Sequence, residues 1–150
     1  MTTSEIYPDI LLELCCKQPL AVLATAAGSA PYANLVAVAC TPDLRHFFFA
    51  TSRATRKWHN LSTNPRVSLL MDNRSNQVKD FTQAAAATIL GTTKELTGLA
   101  REEKQVLFLS KHPHLTDFLA APDCAFFQVT TKHIYLVTHF QKVMKFDFQA

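Results

Sequence analysis

A chain of 150 residues that is 48% apolar and 18% charged, with a formal charge of +3, can bury one sizeable core. This balance excludes a disordered chain, and the charge is too mild for the basic stripe of a nucleic-acid binder. No apolar run reaches the roughly 18 residues that cross a bilayer, and the opening MTTSEIYPDILLELCC lacks the basic start and apolar core of a signal peptide.

A single cytosolic domain spanning residues 1–150 is therefore expected. Its first element should be an amphipathic helix over residues 4–17. Ser4 stands at the cap, Pro8 falls in the first turn, and Ile6, Ile10, Leu11 and Leu14 share one face. Residues 20–25 read as a strand, 26–31 as a turn around Gly28, and 32–40 as the returning strand. The tight turn at 41–44 leads into a third strand at 47–50. A short helix over 54–64 follows, with Thr55 as its cap and Trp58 and Leu61 three apart on one face. Asn64-Pro65 ends that helix, because a residue before proline avoids the α region.

A fourth strand is expected at 67–71, a polar loop at 73–81, and a fifth strand at 84–95 despite alanines that alone would favour helix. A charged helix containing residues 106–108, with KHPHLTDFL at its exit, precedes two last strands at 124–131 and 134–143. Hairpin spacing of this kind implies antiparallel pairing. The expected fold class is mainly β: a small barrel of seven antiparallel strands with a few helices.

Most familiar chemistries have no motif here. Of six histidines, only His112 and His114 are close in sequence, with no HExxH or His/Cys pairing, so no metal site is expected. Cys15, Cys16, Cys40 and Cys124 show no CxxC spacing and read as reduced thiols, mostly buried. There is no GxSxG elbow, and no side chain identifies itself as a catalytic acid, base or nucleophile. With three glycines, neither glycine-rich phosphate cradle can be built.

What stands out is the run FFFATSRATRKWHNLSTNPRVSLLMD, residues 47–72. Thr51, Ser52, Arg53, Thr55, Arg56 and Lys57 set three hydroxyls and three cations between two apolar strands. Hydroxyls donate directionally, a guanidinium binds two oxygens at once, and an ammonium adds point charge, as a phosphate requires. The first N–H groups of the following helix would add their positive end. On composition alone, a solvated charged turn explains the same residues.

The arrangement Thr51–x4–Arg56-Lys57–x2–Asn60-Leu61–x2–Asn64-Pro65-Arg66-Val67-Ser68-Leu69-Leu70 resembles the FMN-binding split barrel of the pyridoxamine 5'-phosphate oxidase-like superfamily. LAVLATAAGSAPYANLVAVA is similar to that family's first hairpin, and Gly91 after ATIL to a strand ending in glycine. The likeness spans residues of about 18 to 143. It implies a homodimer with FMN at the subunit interface. Thr51, Arg56 and Lys57, with Ser52 beside them, match the positions that hold the FMN phosphate. Asn34, Leu35, Val36, Ala37 and Val38 match the strand beneath the isoalloxazine ring, and Asn34 falls where the oxidases often carry an arginine. Asn73 and Arg74 belong to a polar loop that approaches the flavin, and Gln83 replaces a family glutamine.

Trp58, Phe81, Phe126, Phe127, Tyr135 and Phe140 are candidate ring walls, although such aromatics more often fill a core. The pair His139-Phe140 matches a region near the partner subunit's flavin. The ending HFQKVMKFDFQA lacks the arginine-rich segment with which true pyridoxamine 5'-phosphate oxidases hold substrate phosphate. The resemblance therefore implies FMN and an oxidoreductase acting on a small substrate, rather than the named reaction. A non-catalytic FMN carrier or sensor, or a barrel holding haem or a deazaflavin, are the alternatives.

Overall fold

A computed structural model describes residues 7–139 and 141–149. Within them the chain forms eight strands: β1 (Leu20–Ala27), β2 (Ala30–Ala37), β3 (Ala39–Cys40), β4 (His46–Ser52), β5 (Arg66–Asp72), β6 (Ala86–Leu96), β7 (Cys124–Thr138) and β8 (Lys142–Asp147). Five helices accompany them: α1 (Asp9–Lys17), α2 (Arg56–Thr63), α3 (Asp80–Gln83), α4 (Gly98–Lys111) and α5 (Thr116–Ala120), with a 3-10 turn at Pro113–Leu115 before the last. No helix among the described residues is long and apolar enough to cross a membrane.

The strands make one antiparallel sheet in the order β2-β1-β5-β6-β7-β4-β3. β7 is its spine. One flank pairs with β6 along nearly its whole length. The other pairs first with β4, from Cys124 to Thr130, and then with β8, from His133 to Thr138. The β6–β7 register slips between Leu90 and Gly91, where Leu90 faces His133 but Gly91 faces Thr131, leaving Lys132 as a bulge residue. A bulge bends its strand and sharpens the local twist, and here it lets the sheet curl into a half-barrel. Only glycine fits at the bend. A Cβ on Gly91 would lie 2.4 Å from the Thr130 carbonyl oxygen and 2.8 Å from Val129 Cγ1.

Curling gives the sheet an inner and an outer core. Phe47, Phe49, Leu23, Leu69, Ile89 and Leu136 fill the inside together with Leu11 and Leu14 of α1. Phe48 points the opposite way, as strand alternation requires, and packs with Phe126, Phe108, Leu96 and Leu119 under α4 and α5. The Phe47-Phe48-Phe49 triplet is wholly buried because β4 is covered on both faces.

Several expected boundaries moved. The helix expected over 4–17 is seen from Asp9 to Lys17, with Pro8 at its N-cap rather than in the first turn; Ser4 and Ile6 lie outside the described residues. The hairpin turn is only Gly28-Ser29, with Gly28 at φ +59°. The returning strand breaks at Val38, whose N–H donates to the Pro19 carbonyl while its own carbonyl meets His112 Nε2 at 2.8 Å. The polar loop after β5 contains α3, because Asp80 accepts from the N–H groups of Ser75, Asn76 and Gln77 and so starts a turn. The two final strands expected at 124–131 and 134–143 are instead one fifteen-residue strand followed by β8. The break expected at residues 132–133 is the bulge at Lys132, and the true turn lies where His139 and Gln141 have positive φ. His139 thus sits in a turn, not in a last strand, and Phe140 lies outside the described residues.

Gly91→Ala should lower stability by about 1–3 kcal/mol, the usual cost of overpacking, read as a lower urea midpoint with an unchanged slope.

Candidate functional site

β2 and β4 lie five places apart in the strand order, yet curling brings them side by side. Between them opens a cleft of about 310 Å³. Leu35, Val36 and Ala37 of β2 form one wall and Ala50, Thr51 and Ser52 of β4 the floor. Thr55 and Lys57 at the start of α2 close one end, and Phe108, Leu115 and Phe118 from the α4–α5 segment close the other.

The polar end is built by a short chain of hydroxyls. Thr55 caps α2, its Oγ1 accepting from the Trp58 N–H at 3.2 Å and donating to the Ser52 carbonyl at 2.9 Å. Thr51 Oγ1 lies 2.9 Å from Thr55 Oγ1. Ser52 Oγ donates to Asp123 Oδ2 at 3.1 Å and accepts from the Ala54 N–H, so its hydroxyl is already engaged. Farther along α2, buried Asn60 donates from Nδ2 to Thr25 Oγ1 at 3.0 Å, locking the helix against β1. That bond fixes where the first turn points.

The charges in that turn are unusual. α2 has no acidic residue in its first turn, and Arg56 and Lys57 stand at its positive end, where the helix dipole disfavours cations. Lys57 is half-buried, and burial holds its ammonium below the ordinary lysine range. Among the described residues it makes no ion pair. A partly desolvated cation lining the same cleft as the Thr51, Ser52 and Thr55 hydroxyls, at a helix start, suits an anionic ligand. Arg53, by contrast, is spent on structure: it pairs with Glu95 and donates to the carbonyls of Pro122 and Cys124.

Of the eleven residues expected at a cofactor, Leu35, Val36, Ala37, Thr51, Ser52 and Lys57 line this cleft together. Asn34 and Val38 do not. Asn34 Nδ2 donates to the Leu35 carbonyl, and Val38, beyond the end of β2, is fully buried. Arg56 is exposed beside the cleft without lining it. Asn73 and Arg74 lie beyond β5, where Asn73 Oδ1 accepts from the Ala85 N–H and Arg74 pairs with Asp72 at 3.0 Å. Gln83 is exposed at the end of α3.

None of the described candidate aromatics reaches the cleft. Phe126 and Phe127 are core, Trp58 packs against it, and Phe81 is exposed. The aromatic wall comes instead from Phe108 and Phe118, with Leu115. Arg101 holds this wall in place by donating to the carbonyls of Leu119 and Cys124, and His112 ties the end of α4 to Val38. The three wall residues are spaced seven and three apart, a helical repeat that is the one sequence signal for them.

A family model described as pyridoxamine 5'-phosphate oxidase matches residues 9–138. No curated protein matches the chain by sequence. Among solved structures, a haem-binding protein from Mycobacterium smegmatis is 14% identical with a TM-score of 0.82, over 95% of this chain and 59% of its own. The chain thus spans less than two thirds of that protein. HutZ, a haem storage protein from Vibrio cholerae, is 17% identical at a TM-score of 0.72, over 87% of this chain and 92% of its own. An FAD-binding protein from Mesorhizobium loti is 19% identical at 0.70, with coverages of 87% and 94%. At these identities the likeness is one of fold.

His112 generates a pH prediction. Burial holds its imidazolium form below the ordinary histidine range, so the folded state binds fewer protons than the unfolded. Stability from the neutral ring is complete above the unfolded pKa of about 6.5 and is lost as pH falls below it. Urea midpoints measured from pH 7.5 down to 5 should fall more steeply for the parent than for His112→Gln.

Proposed function

The chain belongs to the pyridoxamine 5'-phosphate oxidase family, and on that premise we propose that it is a single-domain, cytosolic, homodimeric flavoprotein that binds FMN non-covalently in the β2–β4 cleft. Lys57 carries the reading: it is half-buried, makes no ion pair among the described residues, and lines the cleft together with the Thr51 and Thr55 hydroxyls. A phosphate monoester supplies the missing charge and accepts from all of these donors. Bound FMN would bring the hydride and electron chemistry, and the protein would supply its orientation.

Each part of the cleft then has a task. Thr51 and Lys57 hold the phosphate, with Ser52 shaping the loop around it. Leu35 and Ala37 would offer the ring an apolar surface, and Phe108 and Phe118 would exclude water from the cleft. Leu35 is 61% exposed, an apolar side chain that a second subunit would cover. Arg56, Asn73 and Arg74, which the cleft leaves out, remain available to a partner's site. Among the described residues Lys57 is the one titratable side chain lining the cleft, and no catalytic acid or base is assigned. The reading is an oxidoreductase of small substrates.

Haem is the weaker reading. Among the described residues the cleft presents no His, Cys, Met or Tyr, and therefore no axial ligand for iron.

Lys57→Met should weaken FMN binding roughly ten- to hundred-fold, since a charge-assisted hydrogen bond contributes about 1.5–3 kcal/mol. The same variant should leave cofactor-free stability unchanged or higher, because it removes a desolvated charge. Fluorescence titration and urea melts read the two effects, and unchanged affinity would refute the phosphate seat. The parent should also scatter light as a dimer at micromolar concentration; a monomer that binds FMN fully would refute the interface site.

A further inference from the structure

A second hollow, about 250 Å³, opens on the other side of the β2–β4 connection, between α1, β3 and α4. It holds two cysteines. Cys16, in the last turn of α1, is exposed, while Cys40 of β3 is buried, and their Sγ atoms stand 3.7 Å apart. Lys111, at the end of α4, lines the same hollow and is anchored there by donating to the Gln18 carbonyl at 2.7 Å. The remaining walls are largely apolar: Ala39, Pro42 and Leu107, with Ser110.

We propose that Cys16 is a peroxide-reactive thiol and Cys40 its resolving partner, so that a small hydroperoxide converts the pair into an intrachain disulfide joining α1 to β3. The sulfurs are within about 2 Å of bonding distance, and one lies at a helix end where a side-chain rotation can bring them together. The two thiols differ in the way such chemistry needs. The hydrogen bond shared with Cys40, whose thiol also donates to the Cys15 carbonyl at 3.3 Å, and the Lys111 ammonium lower the Cys16 pKa against the opposing effect of burial. The same hydrogen bond, together with burial, raises that of Cys40. Burial, with Cys16 beside it, pushes Cys15 up to about 12, and burial, with Asp123 nearby, also raises Cys124. Cys16 is therefore the most acidic thiol of the four and the exposed one.

In the first step the Cys16 thiolate attacks one peroxide oxygen and the O–O bond breaks. One oxygen stays on sulfur as sulfenic acid, and the other leaves, with a proton, as water or an alcohol. In the second step the Cys40 sulfur attacks the Cys16 sulfur and the S–O bond breaks. The hydroxide leaves as water with the proton that Cys40 gives up. The sulfurs lose two electrons, which the peroxide gains. The hollow admits a small hydroperoxide beside the thiolate and shelters the sulfenic acid until Cys40 closes on it. None of this depends on FMN.

The test treats the reduced full chain with one equivalent of hydrogen peroxide, followed by thiol counting and non-reducing peptide mapping. Free thiols should fall from the four present by the reacting pair, with a Cys16–Cys40 linked peptide lighter by about two mass units. Cys40→Ser should stop at the sulfenic acid, trapped as a dimedone adduct on Cys16. Cys16→Ser should show no adduct and no thiol loss. In the untreated chain, iodoacetamide at pH 7 should label Cys16 at least about tenfold faster than Cys15 or Cys124. Four intact thiols after peroxide, or a disulfide through Cys15 or between two chains, would overturn the proposal.

Discussion

The bend of the sheet at Gly91 is the constraint on which the rest depends. β2 and β4 stand far apart in strand order, and a flat sheet would hold them tens of ångströms away from each other, since neighbouring strands are about 4.8 Å apart. The register slip beside Lys132 lets the fifteen-residue β7 run on through the bend without breaking its pairing to β6. The curled sheet then presents Leu35–Ala37 and Ala50–Ser52 to one another across a single cleft. A Cβ there would crowd the Thr130 carbonyl and Val129, so the bend could not keep its present geometry.

The fold also tolerates an electrostatic arrangement that works against stability. Arg56 and Lys57 sit at the positive end of α2, and Lys57 loses hydration without gaining a carboxylate. Such an arrangement persists because other bonds hold the helix: the Thr55 cap and the Asn60–Thr25 hydrogen bond. Both are independent of the cations. The helix therefore stays in place whether or not an anion sits at its start, and the free energy left in the unpaired charge is available for binding. The proposed phosphate seat rests on that same arrangement of helix end and cation.

How much of this was legible in the sequence varied with the range of the interactions involved. The Thr55 cap, the stop at Asn64-Pro65 and the turn at Gly28 are local, and they stand where the residues imply. The alanine-rich stretch proved a strand, β6, because it pairs on both sides, which overrides propensity. The bulge at Thr131-Lys132-His133 was illegible, since a polar triplet looks the same in a turn as in a register slip. Within the site, six expected residues converge, because the block from Thr51 to Lys57 and the strand Leu35–Ala37 each act as short contiguous units. Phe108, Leu115 and Phe118 were missed as a wall. Their position depends on Arg101 and His112 reaching distant carbonyls, which no local pattern reveals.

The central claim is that the β2–β4 cleft holds FMN by its phosphate. Release of whatever copurifies with the untagged protein, by heat or acid, followed by mass spectrometry and absorption spectroscopy, tests it most directly. The account predicts FMN in a ratio approaching one per chain. Recovery of haem, or of a ligand without a phosphate, in a protein that then fails to take up added FMN would contradict it.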